Sequence, residues 1–142
     1  MTNKQTGKQF TSHYTPAKTR EYEKSVSVWA KDAMQGTKLI NTPVAIDLVI
    51  VMPIPTSWPQ WKKILAAKGD LMPTAKPDAD NIEKVIKDGC NGVVWHDDSY
   101  VVKSSKRKIF TDGHIAVGVH VSVTTLTGHI AQITKKPEMV VV

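Results

Sequence analysis

The stretch that decides the fold is VAIDLVIVM, residues 44–52, which lies between Pro43 and Pro53. Nearly every position is apolar, so a strand formed here would need to be covered on both of its faces. The pattern therefore predicts the central strand of a sheet. Asp47 is the exception, and a carboxylate on such a strand needs a polar partner or a place at the strand's end.

Two amphipathic helices are predicted, one before and one after this strand. The first is capped by Thr19 and ends at Gly36, and the second starts at Asp80, runs to about Asn91 and is followed by Gly92. Their buried faces carry apolar or small side chains at helical spacing. These are Tyr22, Val26, Trp29, Ala30, Ala33 and Met34 in the first helix, and Ile82, Val85, Ile86 and Gly89 in the second.

A proline-rich excursion separates the central strand from the second helix. It ends at Pro77 and contains a candidate short helix at residues 58–67. The tryptophans of such a chain usually belong to the core, but Trp58 and Trp61 stand beside Lys62 and Lys63 in this excursion, which also permits a nucleic-acid contact.

Two more strands are predicted near the carboxyl end. A lysine-rich strand runs from Tyr100 to Phe110, and after a turn at Asp112-Gly113 an alternating strand extends to Val123. We expect these two strands to form a hairpin. The chain is then divided into a polar, basic segment (1–17), one compact α+β domain (18–127) and a tail (128–142) that is either disordered or docked on a partner subunit.

Composition limits the class of protein. The 142 residues suffice for one core, and the net charge of +6 favours a polyanionic partner such as nucleic acid or an acidic membrane face, although a soluble basic protein explains it equally. Cys90 is the single cysteine, which excludes an intrachain disulfide and a thiolate zinc cluster. Without a long apolar run or a secretion signal, we expect a soluble intracellular protein with no membrane span.

Five aspartates crowd into a short part of the sequence: Asp78, Asp80, Asp88, Asp97 and Asp98. Carboxylates repel one another, and a fold that gathers several of them usually does so to hold a hard divalent cation. Asp78 and Asp80 are two residues apart after a proline, so in an extended segment their side chains project to the same side.

Structural explanations exist for each acid taken alone. Asp80 is a good helix cap and forms an Asp-x-x-Glu capping box with Glu83, and an Asp97-Asp98 turn is ordinarily a solvated loop. Lys84 lies one helical turn after Asp80, so its ammonium can reach these carboxylates or a phosphate that they hold, or it forms a simple ion pair with Asp80 or Asp88. The combination of these acids with Lys84 favours a catalytic site more than any of the residues does alone.

Other metal sites fit less well. The acids lack the spacing and the glycine of an EF-hand loop, and the five histidines show no zinc-ligand spacing. His96 is interpreted as structural or merely exposed. Magnesium is preferred because every candidate ligand is a hard oxygen donor.

The acidic stretch resembles the signature of RusA-type Holliday junction resolvases, including phage and prophage members. The similarity is carried by KPDADNIEK at 76–84, by Asp88-Gly89, and by GVVWHDDSYVV at 92–102. Residues 14–22 and 52–55 are similar more loosely, and the basic segment with which many members begin is not found before Tyr14.

The resemblance implies a small α/β (α+β) domain with a mixed sheet packed with two main helices. It implies a homodimer that cleaves DNA four-way junctions with Mg²⁺, or Mn²⁺ as an alternative ion, in the cytoplasm of a bacterial host. Carried over by position, the metal-binding carboxylates are Asp78, Asp80 and Asp98, and the essential lysine is Lys84.

We therefore expect a structure-selective endodeoxyribonuclease that acts by paired phosphodiester hydrolysis. A non-catalytic module that binds branched DNA and a metal-dependent nucleotide phosphohydrolase remain as alternatives. Candidate DNA-binding residues flank the acids, since basic side chains bind backbone phosphates. They are Lys62, Lys63, Lys76, Lys103, Lys106, Arg107 and Lys108.

Overall fold

The computed structural model of the chain describes residues 16–127, 132–135 and 138–141, and the side chains of residues 21–126. Helix α1 spans Pro16–Met34, strand β1 spans Val44–Met52, helix α2 spans Gln60–Lys68 and helix α3 spans Ala79–Cys90. A 3₁₀ turn at Asp98–Tyr100 leads into β2 at Val101–Phe110, which is followed by β3 at Gly118–Thr127, β4 at Gln132–Lys135 and β5 at Glu138–Val141. These elements form the predicted α+β fold around one mixed sheet.

Strand β1 lies in the interior of the sheet, as its composition predicts. It pairs with β2 in parallel and with β3 in antiparallel orientation. The side chains of Val44, Leu48 and Ile50 are completely buried, whereas Asp47 points to the opposite, exposed face and accepts a hydrogen bond from the Ser105 hydroxyl. The predicted need of Asp47 for a polar partner is thus met by a neighbouring strand.

The predicted hairpin between β2 and β3 is wrong. The strand order is β2-β1-β3-β4, so that β1 separates the two strands that were expected to pair. The reason is that β1 is the most apolar strand and has two edges of backbone hydrogen-bonding groups to satisfy, which one neighbour cannot do. Residues 111–117 carry the chain past the end of β1, where the Thr111 amide donates to the Met52 carbonyl.

The tail contributes strands to the sheet. Strands β4 and β5 both pair with β3 in antiparallel orientation, β4 with its end and β5 with its beginning. The described part of the tail therefore pairs with the chain's own sheet, and its docking on a partner subunit stays a prediction.

Helices α1 and α3 pack on the face of the sheet that carries Val44 and Leu48, and they pack against each other. The predicted apolar stripe of α3 is confirmed, since Ile82 and Ile86 are completely buried. Helix α1 ends at Met34 as expected but begins before Thr19. Within the described residues, no helix has the length and apolar character needed to span a membrane.

Candidate active site

The first candidate acids lie at the start of α3. Asp78 occupies the N-cap position in extended conformation, yet its side chain makes no capping hydrogen bond. Asp80 lies in the first turn and is exposed. The predicted capping box of Asp80 with Glu83 is wrong, because the helix begins earlier and Glu83 turns toward the sheet. The Asp78 carboxylate therefore does not make the capping hydrogen bond that an aspartate at the N-cap position usually makes.

An ionic cluster around the buried Glu83 side chain joins α3 to β2 beside Asp80. The Lys106 Nζ atom lies 2.9 Å from Glu83 Oε1 and 3.2 Å from Asp80 Oδ1, and Lys87 Nζ lies 2.8 Å from Glu83 Oε2. Glu83 is only 9% exposed. A carboxylate at this depth needs positive partners, and it has two.

The pKa of Glu83 reflects these contacts. Burial alone raises the pKa, but hydrogen bonds from Lys87, Lys106 and Ser104 outweigh it and lower the pKa from 4.5 to about 2. The pKa of Lys106 is raised, chiefly by its hydrogen bonds to Glu83 and then to Asp80. Glu83 and Lys106 therefore stay charged at neutral pH, and Lys106 holds the Asp80 carboxylate from the side of the sheet.

The two aspartates of the 3₁₀ turn have different environments. The Asp97 carboxylate accepts a hydrogen bond of 3.0 Å from the Ser99 amide and caps the turn, and hydrogen bonds from Ser99 hold its pKa below the usual value. Asp98 is the first residue of the turn and is half-buried. Because the turn packs against α3, Asp98 lies on an element adjacent to the one that carries Asp78 and Asp80.

Lys84 occupies the exposed side of α3. Its Nζ atom lies 3.6 Å from Asp88 Oδ2, and its side chain is 76% exposed. The contact with Asp88 is one of the ion pairs that the sequence allowed, and pairs of this kind are weak in water. Lys84 is thus able to leave Asp88 for a phosphate.

The described residues contain no group of three or more Asp, Glu, His or Cys side chains that lie close enough to hold one metal ion. The structure thus places Asp78 and Asp80 at the start of α3 and Asp98 on a turn that contacts α3, and these three carboxylates do not form a metal-binding group. Carboxylates repel each other at short range, and Asp80 already has the Lys106 ammonium as its cation. In donor chemistry all three side chains suit a hard divalent cation such as Mg²⁺.

The candidate DNA-binding residues lie on both faces of β2. Successive side chains of a strand point to opposite faces, so Lys106 and Lys108 face the helices, whereas Lys103 and Arg107 share the open face with Ser105. Lys108 donates a hydrogen bond to the Ala75 carbonyl.

The remaining candidates come from the excursion and the loop before α3. Lys62 lies over the ring of Trp58, with Nζ 4.1 Å from the ring centroid. Lys63 is half-buried, and Lys76 is exposed two residues before Asp78.

Sequence reasoning missed the role of Glu83. It was considered only as the second half of a capping box, although a signal was present: Glu83 lies between Ile82 and the apolar Val85-Ile86 pair, and Lys87 follows one turn later. A charged residue on the edge of an apolar helical face points to a buried ion pair, but its second partner, Lys106, is brought there only by the sheet.

The family model described as endodeoxyribonuclease RusA matches residues 1–123. The chain belongs to the RusA family of endodeoxyribonucleases. A relative from Bacillus subtilis (strain 168), the uncharacterized protein YqaN, is 36% identical over 99 residues, which cover 68% of this chain and 69% of YqaN. No solved structure matches the chain.

Membership in this family implies a Holliday junction resolving endonuclease that acts in DNA recombination. Proteins of this family bind branched DNA junctions, and their activity is generally dependent on a divalent metal ion. The acids at the start of α3 and the basic residues around them fall within the matched residues.

Proposed function

We propose that this RusA-family protein is a Mg²⁺-dependent endodeoxyribonuclease that resolves four-way DNA junctions by paired hydrolysis as a homodimer. The observation that carries the proposal is the state of Asp78, whose side chain caps nothing although it occupies the cap position of α3. Two residues on, Asp80 is exposed at the same helix end. An Asp78 carboxylate without a capping bond, next to Asp80 and to basic residues, suits the binding of a cation that contacts a phosphate.

Asp78, Asp80 and Asp98 are the residues proposed to hold the metal ion. When bound, Mg²⁺ would supply Lewis-acid stabilisation of the phosphate and would lower the pKa of a water molecule that attacks it. The Lys106 ammonium orients the Asp80 carboxylate through their 3.2 Å contact. Lys84 offsets the negative charge that grows on the phosphate in the transition state.

A homodimer gives the paired reaction a geometric basis. A four-way junction has nearly two-fold symmetry, and a two-fold dimer presents two equivalent sites to opposing strands. Because such a substrate is chromosomal or phage DNA, we propose that the protein acts in the cytoplasm of a bacterial cell and originates from a phage or prophage.

The test is cleavage of a cruciform-bearing plasmid, which becomes linear only when both opposing strands are cut. Wild-type protein with Mg²⁺ should linearise the plasmid, and EDTA should prevent it. Asp78→Asn should reduce cleavage by at least about 100-fold while junction binding is retained, because the variant removes a negative charge near the phosphate. Asp70→Asn is the matched control, since Asp70 is an exposed acid whose contact is with Lys68, and it should leave cleavage unchanged. Undiminished cleavage by Asp78→Asn would refute the site.

One observation favours a second candidate, a non-catalytic module that binds branched DNA. Among the described side chains no three-carboxylate cluster is present, and Asp80 is paired with Lys106. The same assay separates the two functions, because the module binds junctions but leaves the plasmid uncut at every Mg²⁺ or Mn²⁺ concentration.

A further inference from the structure

A cavity of about 330 Å³ opens beside the loop that leads into α3. Its walls come from the excursion between β1 and α3 and from the ends of β1 and β2. They are mostly apolar and include the side chains of Trp58, Leu71, Met72, Pro73 and Phe110, with Lys62 at one side. Its size reaches the lower range of small-molecule sites in proteins.

The aromatic walls are held in a defined arrangement. The rings of Trp58 and Phe110 meet edge to face, with their centroids 5.3 Å apart, and the Lys62 ammonium lies 4.1 Å from the Trp58 ring centroid. Met72, on another wall, is 65% exposed. An apolar hollow with a lysine at its side suits a ligand that joins a flat, apolar-faced group to an anion.

Strand β2 connects this cavity to the candidate catalytic acids. Three alternate residues on its helix-facing side have successive contacts: Lys106 with Asp80, Lys108 with the Ala75 carbonyl, and Phe110 with the cavity. At about 3.3 Å per residue, Phe110 lies about 13 Å along the strand from Lys106. That distance equals about four steps of stacked DNA at roughly 3.4 Å each.

We propose that this cavity binds one unstacked nucleobase of the DNA strand whose phosphate lies at Asp78 and Asp80, and that Lys62 binds the phosphate of the same nucleotide. The proposal rests on the proposed function, because the position of the DNA strand is taken from the proposed catalytic site at Asp78 and Asp80. Every base has a π-face that packs on aromatic side chains, and bases at a branch point or a single-stranded stretch leave the stack at the smallest cost. Among the lining side chains only Lys62, Thr74 and the indole N–H of Trp58 offer strong hydrogen-bonding groups. With so few such groups, the cavity selects an unstacked base rather than a particular sequence.

Base removal in the DNA, combined with substitution of Trp58, tests the proposal. A set of four-way junctions carries a single abasic site at each position near the branch point, and binding is measured in EDTA so that no strand is cut. Removal of the base at one position within about four steps of the cleaved phosphate should weaken wild-type binding by between about 5-fold and 100-fold. The Trp58→Leu variant should bind the intact junction more weakly than the wild type by the same factor, and the abasic site should not weaken its binding further. The Trp58→Phe variant should still bind the abasic junction more weakly than the intact one.

Trp61→Leu is the matched control. Trp61 lies on the same helix as Lys62, is 63% exposed and does not line the cavity, so its substitution should leave the abasic profile unchanged. Thermal unfolding checks that each variant is folded. If Trp58→Leu is unfolded, Thr74→Trp replaces it, since a large side chain at an exposed lining position fills the cavity and should abolish the effect of base removal.

Several outcomes overturn the proposal. One is a folded Trp58→Leu variant with wild-type affinity and the wild-type abasic profile. Another is a Trp58→Leu variant that changes its oligomeric state but keeps the wild-type abasic profile, which would assign the cavity to contact with a second copy of the chain. Wild-type protein that binds junctions but never cuts them refutes the proposed function alone, because the abasic scan depends only on binding. Wild-type protein that binds no junction refutes both.

Discussion

At the scale of single residues, Glu83 connects the stability of the fold to the geometry of the candidate site. Its carboxylate lies between Lys87 and Lys106, and Lys106 in turn contacts Asp80. Removing the charge of the buried Glu83 carboxylate leaves Lys87 and Lys106 without the anion that they share. The lysine side chains are about 30% exposed, so solvent screening reduces the contribution of these ion pairs to stability.

Glu83→Gln should therefore lower the free energy of unfolding at pH 7 by about 1–3 kcal/mol. Chemical denaturation measures this value, with Glu21→Gln as the control because Glu21 is an exposed acid on α1. An unchanged unfolding midpoint in Glu83→Gln would mean that the cluster contributes nothing to stability.

The same carboxylate gives the protein a defined acid response. The pKa of Glu83 is about 2 in the folded chain against 4.5 as its ordinary value, so folding is favoured when it is ionised. This contribution is complete above about pH 4.5 and is lost as the pH falls toward about 2. Its upper limit is about 3 kcal/mol. Unfolding measured between pH 5 and pH 2 should show a steeper loss of stability in the wild type than in Glu83→Gln, and parallel curves would contradict the assignment.

At the scale of elements, the contact between α1 and α3 depends on a glycine. A Cβ atom at Gly89 would lie 2.7 Å from Val26 Cβ and 2.9 Å from the Glu23 carbonyl oxygen, and the Ser27 hydroxyl donates a hydrogen bond of 2.6 Å to the Gly89 carbonyl. The two helices approach closely only because position 89 has no side chain. Since α3 carries Asp78 at its start, this contact also sets where the acids lie relative to the sheet.

Gly89→Ala should lower the free energy of unfolding by about 1–3 kcal/mol, although alanine is the better helix former, because overpacking against a backbone carbonyl outweighs propensity. Asn81→Ala, at an exposed position of the same helix, should leave stability unchanged or slightly higher. Combining Gly89→Ala with Val26→Ala removes Val26 Cγ1, which would also lie 2.7 Å from the added Cβ atom. The double variant should therefore lose less stability than the sum of the single variants. Simple additivity would argue against the clash.

At the scale of the whole molecule, four of the candidate DNA-binding residues are divided between two surfaces. Lys62 and Lys76 lie in the segments next to the candidate acids, whereas Lys103 and Arg107 lie on the open face of the sheet. Net charge alone predicts that all of them contribute similarly to DNA affinity. The fold predicts a difference between the two pairs.

Junction affinity measured against salt concentration tests this division. Lys62→Ala with Lys76→Ala should reduce the slope of log K against log salt by about 2, since about one counterion is released for each phosphate contact. Lys103→Ala with Arg107→Ala removes the same charge and should change the slope by much less. Equal changes in the two double variants would show that DNA contacts both of these surfaces.

What the sequence by itself determined is what depends on near neighbours along the chain. The apolar run at 44–52, the stripe of α3 and the acidic motif at 76–84 follow from spacing, and they were sufficient for the α+β class and the family. The tertiary structure decided what depends on residues far apart: β1 inserted between β2 and β3, Lys106 placed on Glu83 and Asp80, and the excursion folded around a cavity at Phe110. Periodicity reports which face of an element is buried, but the partner on that face is set by packing of the whole core.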